Sequence, residues 1–254
     1  MKIYSDRLLD KEINDLCKWF ELCPPKEGIE QWKDYRSAKE MAKFWLDQKN
    51  CEEFQQFIRK TIPDFTYDHI IPESASIFDR YRSPRKHDLY IAGKDNKSII
   101  TIEGKADESF GNNDFEKELN ESIKEKIKKP NSKKFDRMIE LYLNYFNNNG
   151  YGYIFGIMYQ LLHWFAGSKS DAIRIGTNNF IMVLQEFKSN ETDDKKQQKN
   201  HSDFENFIDF ISEAKYKSIK NKQIIGPISN KYTSDNKKGN MNLYIGYYSI
   251  DLRN

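Results

Sequence analysis

Residues 88–105 read DLYIAGKDNKSIITIEGK, two short apolar runs joined by the polar segment GKDNK. A run as apolar as IITI does not belong on a solvated sheet edge, because a strand with one wet face alternates apolar with polar residues. The two runs therefore predict adjacent, buried strands of a hairpin, with other elements packed over them. Into these strands the chain places Asp88, Glu103 and Lys105. Burying such charges singly is costly, so they must serve one another or something else.

The flanking sequence supplies the cover. Leu9, Ile13, Leu16 and Phe20 predict a helix over 6–22. Ser37 and Glu40 form a capping box that opens a second helix, with Ala38, Met41, Ala42 and Trp45 on its stripe. Phe54, Phe57 and Ile58 predict a third helix over 51–61, stopping before Pro63. A strand is expected near 75–81, then the hairpin, then helices over 114–129 and 133–147. Residues 153–167, YGYIFGIMYQLLHWFAG from its second tyrosine on, predict a helix ending at Gly167 as C-cap. A buried strand is expected over 178–187, a mobile loop over the almost wholly polar 188–202, a helix over 203–214 and a closing strand near the C-terminus. The order describes a single α/β domain, with N-terminal helices over 1–50, a core over about 51–187, and a C-terminal helix and strand over 203–254.

Composition removes several classes of function. No apolar run approaches the roughly 18 residues of a membrane helix, and MKIYSDRLLDKEIND lacks a signal-peptide apolar region. No membrane partner is expected, and a cytoplasmic location is. Cys17, Cys23 and Cys51 make no CxxC pair, and the four histidines have no metal-ligand spacing, so no structural zinc site is expected. A net charge of +2 does not by itself mark a nucleic-acid binder. The cluster Arg80, Arg82, Arg85 and Lys86 lies just before Asp88, however, and Arg82, Arg85, Lys86 and His87 are candidate phosphate contacts. The lysines of 211–254 read as solvated surface.

Hairpin geometry makes the acidic pair specific. With 93–97 as the loop, Asp88 faces Ile102, and with a loop one residue shorter it faces Glu103. Directly opposite side chains have Cβ atoms about 4.5–5.5 Å apart, and Glu103 and Lys105 share a face. Two carboxylates this close repel unless a cation lies between them. Mg²⁺ or Mn²⁺ accepts such oxygen ligands and polarises a phosphoryl oxygen, which is what phosphodiester hydrolysis needs. The plain alternative is an ion-pair cluster without chemistry.

Asp88 followed by Glu103-Gly104-Lys105 at the end of the next strand resembles the PD-(D/E)xK nuclease superfamily, the restriction-endonuclease-like fold. More narrowly, QWKDYRSAKEMAKFW, RKHDLYIAG, EGKADESFG, YQLLHWFAG and FIMVLQEF resemble a bacterial group of restriction-endonuclease-like proteins over residues 31–187. The resemblance implies a core of helix, three antiparallel strands, helix and strand. It implies Asp88 and Glu103 as metal ligands, the Gly104 carbonyl as a further oxygen, and Lys105 as the residue that positions or activates the attacking water. It also implies DNA as substrate, a role in defence against foreign DNA, and compatibility with a homodimer, since cutting both strands needs two sites. His87 stands where the superfamily's motif has Pro. An extra acid is expected from Glu73, with Glu53 as its rival, and Gln160, less so His163, is expected to reach the site from its helix. Asp107 and Glu108 are expected to cap the following helix, with binding of a second ion as the alternative, and Phe110 and Gly111 to form a turn. The rival functions are a catalytically inactive nucleic-acid-binding or assembly module and a small-nucleotide phosphoesterase.

Overall fold

The structure, a computed structural model, describes residues 2–81, 84–94, 97–147, 153–234 and 237–253. Among these a seven-stranded mixed sheet carries helices on both faces. A two-residue strand β1 (Lys2–Ile3) precedes α1 (Leu16–Leu22), a 3-10 turn at Gly28–Glu30, α2 (Ser37–Leu46) and α3 (Gln48–Arg59). Strands β2 (Tyr67–Ser76), β3 (Arg85–Gly93) and β4 (Ile99–Lys105) follow, then α4 (Phe115–Lys128), α5 (Lys134–Tyr145) and α6 (Tyr159–Ile175). The chain closes with β5 (Asn179–Lys188), α7 (Asp194–Ile211), β6 (Gln223–Ser234) and β7 (Lys237–Asp251).

The strand order is β1-β2-β3-β4-β5-β7-β6. β2, β3 and β4 run antiparallel, whereas β5 lies parallel to both β4 and β7. β4 is therefore the pivot between a meander and a crossover, and its seven residues are all buried. That double cover explains why IITI does not alternate. Ile100 and Ile102 pack with Trp45, Phe54, Phe57 and Ile58 of α2 and α3. Ile99 points the other way, toward Leu161, Leu162 and Phe165 of α6 and Phe204 and Phe207 of α7.

Several sequence expectations shift. The first strand of the meander is Tyr67–Ser76, upstream of 75–81, because YDHIIPES pairs along β3 despite its Pro72. α1 begins only at Leu16, capped by Asp15, and residues 6–15 do not join it. Gly167 lies inside α6, which runs on to a left-handed cap at Gly176 (φ 74°). Its missing side chain serves packing: a Cβ there would meet the His87 ring at 3.1 Å. The polar segment 188–202 is helical from Asp194, since Asp193 caps α7 and Gln197 and Asn200 are buried on its inner face. β6 was not foreseen. Its sequence QIIGPISNKYTS lacks strict alternation, and it bulges between Ile225 and Ile228.

Candidate active site

The hairpin register settles the spacing left open by the sequence. Ala92 pairs with Ile99 and Leu89 with Ile102, so one further step sets Asp88 opposite Glu103. The regular ladder stops at Leu89–Ile102. Beyond it the Gly104 N–H donates to the Asp88 carboxylate, Oδ2, at 2.8 Å. A side chain has thus replaced a backbone partner, and the two strands part.

The cause lies one strand further out. Ile70 and Leu89 face the N-terminal helices, while Ile71 and Tyr90 face α6. Strict alternation would send Ser76 and His87 to the N-terminal face. Instead Ser76 Oγ donates to the Gly167 carbonyl of α6 at 3.0 Å, and His87 packs on Gly167. The phase changes at Glu73, whose φ of 48° lies in the left-handed region although it sits within β2. The register places Glu73 opposite Asp88, between the pairs Pro72–Leu89 and Ser74–His87. A left-handed non-glycine costs about 1–2 kcal/mol, and such strain persists where surrounding structure enforces it. Here it turns two acidic residues into one cleft.

Glu103 is the hub of that cleft and is only 2% exposed. Its Oε1 accepts from Lys105 Nζ at 3.1 Å and from Gln160 Nε2 of α6, and its Oε2 accepts from Arg85 Nη2 at 2.5 Å. Burial pushes its pKa up, but the adjacent Lys105 and Arg85 charges outweigh burial and hold it below the usual glutamate range. Lys105 is likewise pushed down by burial and lifted further by the Glu103 and Asp88 charges, so it stays an ammonium. It lies 5.1 Å from the Phe110 ring, which is fully buried. Asp88 behaves in the opposite way. Burial, then the charge of Glu103, raises its carboxyl well above the aspartate range. Glu73 is raised too, chiefly by burial, although Lys86 pairs with it at 3.3 Å.

Asp88, Glu103, Gly104, Lys105, Glu73 and Gln160 line one cavity of about 520 Å³. Gly104 keeps that cavity open on the α2 side, where a Cβ would come within 2.3 Å of Met41 Sδ. The other expected residues are placed elsewhere. Arg85 and His87 are buried rather than free for phosphate, His87 lying 3.3 Å from Asp171. Lys86 is half-exposed and engaged with Glu73, and Arg82 lies outside the described residues. Glu53 is exposed on α3. His163 packs between Phe78 and Tyr159 and is not among the residues that line the cleft. Asp107 and Glu108 do not cap α4, which Asp114 does. Asp107 instead accepts from the Asp193 N–H ahead of α7, and Glu108 holds the Ala106 and Asp107 N–H groups and receives the Ser37 hydroxyl. Gly111 sits at φ 80°, in the left-handed region, with Phe110 in a bend before it.

The sequence reading missed the opposite wall. Trp19, Trp32, Arg36, Ser37 and Met41 close the cleft from α1 to α2. Ser37 does not close the capping box its spacing predicts: it serves Glu108, and only Glu40 reaches back, to the Tyr35 N–H at 2.9 Å. A serine that pairs across about 70 positions leaves no local signal.

A family model described as a domain of unknown function, DUF6946, matches residues 12–252. The chain belongs to the DUF6946 family. No curated protein and no solved structure matches it. In this DUF6946 member the carboxylates that line the cleft offer hard oxygens, the type that Mg²⁺ or Mn²⁺ accepts. Among the described residues no three His, Cys, Asp or Glu side chains already stand as a ligand group. The placement of Asp88 opposite both Glu103 and Glu73, all three lining one cleft, is nonetheless the observation that fits a cation. Burial, and after it the two neighbouring acids, disfavour the Asp88 charge, and a divalent ion beside it would relieve the repulsion. Asp88 and Glu103 would hold such an ion, with Glu73 close enough to the same cavity to add an oxygen.

Proposed function

We propose that this chain is a metal-dependent nuclease of the PD-(D/E)xK superfamily that hydrolyses phosphodiester bonds in DNA. The observation that carries the reading is the convergence of Asp88, Glu103, Lys105 and Gln160 from β3, β4 and α6 on one cleft. The antiparallel β2–β3–β4 meander with β5 parallel beside β4 supports it, being the core order the resemblance implies. DNA as the polymer, and defence as the role, rest on the resemblance alone.

A bound divalent ion would supply Lewis acidity at the phosphoryl oxygen and shield the charge that develops there. The chain's own residues do the rest. Lys105 stays protonated between Glu103 and the cleft and so presents N–H donors to an attacking water or a phosphate oxygen. Gln160 donates to the same Glu103 oxygen as Lys105, so the carboxylate is held by α6 as well as by its own strand. Arg85 completes that hold, and its Nη1 is buried with no hydrogen-bond partner among the described residues.

Cleavage of supercoiled plasmid and of single-stranded circular DNA tests the reading, with Mg²⁺, Mn²⁺ or EDTA. Asp88→Ala and Lys105→Ala are each expected to lose at least about 100-fold in rate, the scale of a general acid–base or positioning group, and EDTA to abolish cleavage. Activity that survives both substitutions removes the site. One observation favours a second reading: Arg85 already neutralises a Glu103 oxygen at 2.5 Å, as a nucleic-acid-binding module without turnover would permit. Binding of DNA with no cleavage under any metal selects that module.

A further inference from the structure

Size, charge and one aromatic ring together say which form of nucleic acid this cleft accepts. The cavity holds about 520 Å³, within the range that encloses a small ligand rather than a polymer face. Glu103 and Lys105 lie at its floor, 2% and 4% exposed. A scissile phosphate must descend past the wall from Trp19 to Ala38 to reach them. That wall is fastened: Ser37 bonds to Glu108, and Arg36 lies 3.5 Å from Asp107.

The charge points the same way. Among the described residues lining the cleft, six carboxylates, Glu27 and Glu30 of the wall included, face three cations. A duplex carries one negative charge per roughly 1.7 Å of its axis and gains nothing from such a surface. A lone nucleotide needs its phosphate only at the floor, and its base finds an apolar plane higher up. Trp32 supplies that plane: it lines the cleft, is partly buried on the N-terminal layer and is steadied by Phe20, ring centroids 5.2 Å apart. Bases stack on such rings whatever their sequence.

We infer that the cleft takes an unpaired nucleotide, its base stacked on Trp32 and its phosphate directed to Asp88, Glu103 and Lys105, so that the substrate is single-stranded rather than duplex nucleic acid. This rests on the nuclease reading for the fate of the phosphate, and on the cleft's size, charge balance and Trp32 for the strand preference.

Fluorescence anisotropy with the full chain in Ca²⁺ tests it, using a labelled 20-mer single strand, the same sequence as a blunt duplex, and a nucleoside monophosphate as competitor. The single strand is expected to bind at least about 10-fold more tightly than the duplex. Trp32→Ala should weaken that binding by roughly 5- to 150-fold, the equivalent of one lost base stack, while Trp32→Phe retains most of it and thermal melting confirms that both variants fold. Equal or tighter duplex binding, or an unaffected Trp32→Ala, overturns the inference. So does a monophosphate that competes as well as the 20-mer, which would assign the site to free nucleotides. Asp88-dependent cutting of relaxed duplex DNA at the rate of a single-stranded circle would overturn this inference and leave the nuclease reading standing. Strand-selective, Trp32-dependent binding without cleavage would do the reverse.

Discussion

Glu103 and Asp88 are both carboxylates on adjacent strands, yet their environments drive them apart. Glu103 has two cations and an amide on its oxygens, and Asp88 has one backbone N–H and an acidic neighbour. Burial alone would have raised both, so the partners decide. Lys169, buried in the middle of α6, lacks that help. Its pKa is lowered from 10.5 to about 8 by burial, and its Nζ donates to the Lys231 carbonyl at 2.7 Å. The unfolded chain therefore binds the proton more tightly than the folded one. This group penalises the fold fully below about pH 8 and releases the penalty as pH climbs toward 10.5. Lys169→Met is expected to gain about 1–3 kcal/mol at pH 7 in urea melts, an advantage that shrinks through that window. A loss of stability at pH 7 would mean that the bond to Lys231 outweighs desolvation. The motif residues Asp88, Glu103 and Lys105 were legible because charge inside an apolar strand is conspicuous. Gln160 followed only from the resemblance. Arg85 as the partner of Glu103 was not legible, since its face depends on the phase change at Glu73.

At the scale of elements, α6 and α2 grip the sheet from opposite faces and aim the site between them. α6 approaches β2 and β3 through Gly167, against which His87 and Ser76 lie, and it carries Gln160 as its second residue. α2 is held by Trp45, fully buried, whose indole N–H donates to Gln185 of β5 at 2.9 Å. Gly167→Val would force side-chain bulk onto the buried His87 ring. Overpacking of this kind costs about 1–3 kcal/mol, and a drop in melting temperature of about 2–4 °C per kcal/mol is expected for a chain of this size. An unchanged melting curve would show that α6 can shift freely. Helix periodicity announced most of these elements. It failed where a cap or a long-range contact ruled, as with α7, whose polar first turns rest on Asp193 and on buried Asn200 donating to the Glu108 carbonyl at 2.8 Å.

Across the whole molecule, two hydrophobic layers share one sheet, so neither can form without the strands that serve both. Removing residues 1–61 would strip Trp45, Phe54, Phe57 and Ile58 from Ile70, Leu89, Ile91, Ile100 and Ile102. The shortened chain is expected to aggregate or bind hydrophobic dye, while the intact chain melts in a single calorimetric transition. Two resolved transitions would make the N-terminal helices a separate unit. The sequence by itself determined the α/β class, the buried hairpin and the presence of charge within it, because burial on both faces and period-two spacing are written locally in IITI and its neighbours. Only the tertiary structure decided the one-residue register that sets Asp88 opposite Glu103, the left-handed turn at Glu73 and the N-terminal wall over the cleft. Those depend on contacts between residues far apart in the chain, and such contacts leave no periodic trace in the residues that make them.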